Sequence, residues 1–143
     1  MKAHSAACWL LVATLIGGCG PTTDVRPGDA SVKRDLLRGI VEIRAAHDVK
    51  KLHAEVLRVL ASLRRDRAST PAARRARVLA IQGFEATLKG VRSQLDFSEN
   101  DSGNVAAATR DAKRADRYLR RGAYRLRAAG QALGIRVGQI NGR

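Results

Sequence analysis

Six basic residues, Arg110, Lys113, Arg114, Arg117, Arg120 and Arg121, recur every three or four positions near the end of the chain. On a helix that spacing gathers them on one face. Arginine can hold a phosphate oxygen pair through two parallel hydrogen bonds, so the chemistry this stripe suits is the binding of an anion. Tyr118 and Tyr124 stand at its margins, and Asp111 and Asp116 flank it as they would flank an ordinary solvated face.

Other chemistry finds little support. His47 and His53 lie six apart, whereas two ligands on one helix need a spacing of three or four. Glu42, Asp48 and Glu55 alternate with Arg44, Lys50, Lys51 and Arg58, the pattern of solvated helix charges and not of paired catalytic carboxylates. No glycine-rich loop opens a helix and no serine occupies a strand-to-helix elbow. A calcium loop counted from Asp96 places oxygens at Ser98 and Asn100, but Asp101 replaces the turn glycine and Ala107 replaces the closing glutamate. The sequence therefore predicts a protein that is not an enzyme and holds no metal or dissociable cofactor.

Composition points the same way. The chain has 143 residues and a formal charge of +14, which favours anionic partners and disfavours self-association. Single-strand nucleic-acid binders interleave bases with stacking aromatics; here aromatics are 3% of the chain, so no nucleic-acid partner is expected. Alanine and arginine dominate, and both favour helix.

The first residues carry an address. Lys2 and His4 precede an apolar run from Ala6 to Ile16, broken by Thr14 and followed by Gly17, Gly18 and Cys19. Eleven residues are too few to span a bilayer, which takes about 20 in a helix, so the run reads as an export signal. Ile16-Gly17-Gly18-Cys19 resembles the lipobox of bacterial lipoproteins. That resemblance covers the leader alone. It implies cleavage between Gly18 and Cys19 and covalent lipid on the Cys19 thiol, with the membrane as a partner through two or three acyl chains, because one chain holds only marginally. It also implies a cell-envelope location, and Gly20 in place of an aspartate favours the outer membrane of a two-membrane cell over the outer face of the plasma membrane. Cys8 would leave with residues 1–18, and no disulfide could then form within the mature chain.

The elements that must position the stripe follow. Residues 19–30 read as an acylated cysteine and flexible tether, GPTTDVRPGDA after Cys19. Apolar residues at helical spacing predict a first helix over 31–68 (Leu36, Ile40, Ile43, Ala46, Val49, Leu52, Val56, Val59, Leu63), with Asp29 or Ser31 as its cap. Thr70-Pro71 opens a second helix over 71–97, in which Gly83 and Gly90 each cost up to about 1 kcal/mol against alanine. A third, over 104–133, has a heptad of large residues (Val105, Ala112, Leu119, Leu126, Leu133) beside one of small residues (Ala108, Ala115, Gly122, Ala129), with Gly134 as its stop. The expected fold is all-α, an antiparallel three-helix bundle running up-down-up over 31–137, with a flexible tail at 138–143. Its expected role is that of a non-catalytic envelope lipoprotein whose stripe binds anionic lipids or envelope polymers. The alternative is a helical interaction module serving another envelope protein.

Overall fold

The computed structural model describes residues 26–99 and 105–135, which are helical apart from their margins and the turns at 46–48 and 66–70. Among the described residues there are four helices and not three: α1 (Pro27–Ala45), α2 (Val49–Arg65), α3 (Pro71–Glu99) and α4 (Val105–Ala132). Cys19, Gly18, the first part of the tether and the tail at 138–143 lie outside the described residues.

The expected first helix is two. Leu36 and Leu63 are both fully buried, yet they stand 27 residues apart, or about seven and a half turns at 3.6 residues each. On one unbroken helix they would point to opposite sides. The chain resolves this conflict by turning back at Ala46–Asp48: Ala46 takes an extended conformation, and the Asp48 carboxylate accepts from the Lys50 N–H at 2.8 Å as the N-cap of α2. Asp48 is thus a cap and not merely a solvated charge. The result is an αα-hairpin with both apolar stripes facing inward.

The start of α1 also differs from expectation. Residues 27–30, assigned by sequence to the tether, already form its first turn, because Pro27 at N1 has its φ preset for helix. Asp29 does not cap this helix. It reaches across to the corner between α2 and α3, accepting from the backbone N–H of Ser69 at 2.7 Å and of Thr70 at 3.3 Å. Thr70 in turn accepts from Ala73 N–H at 3.2 Å and so caps α3. Arg77 closes the other side of the corner, donating to the carbonyls of Leu63 and Arg64 at 2.6 Å each, the last carbonyls of α2 that no helix bond satisfies.

α3 and α4 pack antiparallel at very short range. As α3 advances from Gly83 to Gly90, the residue it meets on α4 retreats by the same seven positions, from Leu126 to Leu119. Between these contacts Gly122 lies so close to α3 that an added Cβ would stand 2.6 Å from Thr87 Oγ1 and 2.9 Å from the carbonyl oxygen of Gly83. The glycines read from sequence as weak points of the second helix are therefore positions of close contact with α4. Thr87 and Ser93, buried in this seam, satisfy their own hydroxyls by donating to Gly83 and Lys89 carbonyls at 3.0 and 3.1 Å.

α1 and α2, with 19 and 17 residues, are too short to cover α3 and α4, with 29 and 28. They sheathe one end, where Val32, Leu36, Val56, Leu60, Leu63 and Phe84 form the core with Leu126, Ala129 and Ile135. Full burial of Phe84 and the leucines contributes roughly 1.5–3 kcal/mol each. Toward the other end α3 and α4 continue as a two-helix stalk, closed by Val91 and Ala115. Hence the small heptad of α4 is buried at Ala115, Gly122 and Ala129, whereas Val105 and Ala112 of the large heptad are exposed: in the stalk no third helix covers that side. α4 stops in a Schellman turn, with Gly134 at φ +67° and Ile135 N–H donating to the Gly130 carbonyl at 2.9 Å.

Asp29 gives this corner a pH dependence. The Thr70 hydroxyl and the Ser69 N–H, with Arg26 nearby, hold its carboxyl below the ordinary value of 3.8. A lowered folded pKa means stability that is fully present above 3.8 and lost as pH falls through the lowered value. Asp29→Asn should therefore melt at lower temperature than the wild type at pH 7, with the gap closing as thermal scans are taken to progressively lower pH. A gap that stayed constant to pH 2 would show that Asp29 does not hold the corner.

Candidate anion-binding site

The face of α4 opposite its buried seam carries all six basic residues of the stripe, and all six are exposed. The structure does not use them alike. Arg114, Arg117 and Arg121 line a shallow recess of about 370 Å³ around the half-buried Tyr118. Arg120 lies outside it, held to Asp116 at 3.0 Å one turn back. Arg110 and Lys113 also lie outside it, toward the stalk end.

A second recess of about 240 Å³ shares Tyr118 and Arg121 with the first and runs onto α3, where Gln82, Glu85, Ala86 and Lys89 face Arg125. The two adjoin at Tyr118 and Arg121, the first on α4 and the second in the α3–α4 groove, and five cations line them: Lys89, Arg114, Arg117, Arg121 and Arg125. The carboxylate among their lining residues is Glu85, which already accepts from Arg64 at 2.8 Å. Arg114 stands 3.9 Å from Asp111, a long contact, and the other four cations carry no ion pair among the described residues.

Helix periodicity explains the arrangement. Arg114, Arg117, Arg121 and Arg125 follow one another at three or four residues along α4, while Glu85 and Lys89 do the same on α3. The close contact at Gly122 brings these two rows to either side of Tyr118. A phenol ring with cations around it offers a flat, partly apolar floor and strong hydrogen-bond donors that do not ionise away at neutral pH. That suits an anion with some covalent body, such as a phosphorylated or sulfated headgroup or sugar.

Lys89, Arg125 and Glu85 were not singled out from the sequence. Each was visible as a charged residue, but only the antiparallel register of α3 against α4 shows which charges meet. The remaining candidates are dispersed: His47 is exposed in the α1–α2 turn, and His53 is half-buried on α2. Among the described residues no three potential metal ligands gather, and no helix is long and apolar enough to cross a membrane. No protein-family model, curated protein or solved structure matches the chain.

Proposed function

We propose that the protein is a non-catalytic lipoprotein of a bacterial cell envelope, held to a membrane by lipid on Cys19, whose helical domain binds anionic envelope components through the groove around Tyr118. The observation that carries the binding half is the surplus of cations there: five line the two recesses that share Tyr118, the lining carboxylate Glu85 is already paired with Arg64, and Asp111 reaches Arg114 only at 3.9 Å. The anchoring half is supported by the lipobox-like Ile16–Cys19 after a short apolar run. Exposed large apolar side chains are spread over all four helices, and Phe97 and Val105, both at the stalk end, are where a protein partner would have to dock. An outer-membrane address is favoured by Gly20. A helical interaction module for another envelope protein is the reading that a failure of anion binding would leave.

Two experiments test the two halves. Metabolic labelling with a fatty-acid analogue should mark the wild-type protein and leave Cys19→Ala unmarked; an unmarked wild type would refute the anchor. Co-sedimentation of the chain from Gly20 onward with anionic vesicles or purified envelope polymers should show binding that falls with salt. A triple change of Arg114, Arg117 and Arg121 to Gln should weaken it by up to about 100-fold, since each cation near an acidic surface is worth about 1 kcal/mol. Binding to neutral vesicles alone, or none at low salt, would end the anion-binding reading.

A further inference from the structure

The charges are distributed along the long axis of the molecule as well as around α4. Asp29 ties the start of α1 to Ser69 and Thr70, so the start of α1, the end of α2 and the start of α3 share one end of the bundle. The end of α4 joins them there, because Ile135 is buried in the same core as Leu63 and Ala76. From Arg64 to Arg77 the chain carries six arginines against one carboxylate, Asp66. Arg65, Arg67 and Arg75 are exposed and have no ion pair among the described residues, and Arg74 uses one nitrogen on the Ser69 carbonyl at 2.9 Å. Toward the stalk end the sequence between Arg92 and Arg110 has no lysine or arginine, and Asp96 is exposed there on α3.

We propose that the arginine-rich end is a second, charge-based contact with the anionic lipid headgroups of the membrane, and that it stands the α3–α4 stalk upright on that end. The proposal rests on the anchored reading above in one respect: the chain enters the bundle at Arg26, seven residues after Cys19, a span of at most about 24 Å. That keeps the arginine-rich end near the headgroups whatever the orientation. Standing upright brings the exposed Arg65, Arg67 and Arg75 to the headgroups together, at the end where the chain enters the bundle. The groove around Tyr118 is then held clear of the bilayer, where its ligand is a polymer or headgroup outside the supporting leaflet.

Two probe positions on α3 distinguish the orientations. Ala72 and Gln94 are both exposed and lie 22 residues apart, about 33 Å along the helix. The full-length protein, recovered with its acyl chains, is labelled with a fluorophore at Ala72→Cys or at Gln94→Cys. It is then placed in vesicles of phosphatidylcholine, with or without phosphatidylglycerol, that contain a headgroup nitroxide. The upright arrangement predicts that phosphatidylglycerol raises quenching at position 72 several-fold while leaving position 94 dark to the quencher. High salt, or Gln at Arg65, Arg67 and Arg75, should abolish that rise, and Gln at Arg114, Arg117 and Arg121 should not. Equal quenching at both positions, lost with the Arg114, Arg117 and Arg121 changes, would mean that the molecule lies flat on its stripe; this overturns the inference and leaves the anion-binding reading intact. Quenching at position 72 that ignores phosphatidylglycerol, or survives loss of the three arginines, overturns it as well. Protein recovered without acyl chains would count against the anchor alone, since the same two probes report orientation on protein held to anionic vesicles by charge.

Discussion

The backbone of α4 comes nearly into contact with the backbone of α3 at Gly122, and everything else in the molecule is arranged around that approach. A side chain of any size there would meet the Gly83 carbonyl oxygen at 2.9 Å. The spacing continues to Gly90 against Leu119 and to Gly83 against Leu126, so α4, which has few large apolar residues, gains a continuous interface with α3. Dispersion grows steeply as atoms approach contact distance, which is how a seam of glycine, alanine, threonine and serine holds a stalk. The same approach sets the distance between the α3 and α4 surfaces, and with it the width of the groove around Tyr118.

The short α1–α2 hairpin completes the structure at one end only. It supplies Val32, Leu36, Val56, Leu60 and Leu63 to a core that α3 and α4 could not form with Phe84 and Leu126 alone. Asp29, Thr70 and Arg77 stitch its ends to the start of α3 through hydrogen bonds to backbone groups that the helix termini leave unpaired. Because Asp29 is used internally by these links, the arginines around them are left as the surface the end presents. Fold and charge distribution thus have a common origin.

Much of this was legible in the sequence, and the parts that were not share a cause. Helical character, the Thr70-Pro71 boundary and the small-residue heptad of α4 are local signals. The break at Ala46–Asp48 was not legible because no glycine or proline marks it and the apolar spacing stays helical on both sides; only the half-turn mismatch between the stripes of Leu36 and Leu63 records it. Gly83 and Gly90 were weighed by propensity as costs, whereas their role depends on a partner helix whose register no local signal specifies. The stripe on α4 was read as a flat face of six. Tertiary contact divides it into Arg114, Arg117 and Arg121 at a groove and Arg110, Lys113 and Arg120 outside, and adds Lys89 and Arg125. The lipobox-like leader belongs to a different kind of evidence, a short motif whose meaning lies in processing and not in packing.

The claim on which the account turns is that the α3–α4 approach at Gly122 is structural, and thermal unfolding of Gly122→Ala tests it by sign. Alanine is the better helix former by up to about 1 kcal/mol, so a helix under no constraint there would gain stability. The close approach predicts the reverse, a net loss, since overpacking a tight interface costs about 1–3 kcal/mol, with weaker binding of anions at the widened groove. A Gly122→Ala protein that melts higher than the wild type and binds anions equally well would contradict it.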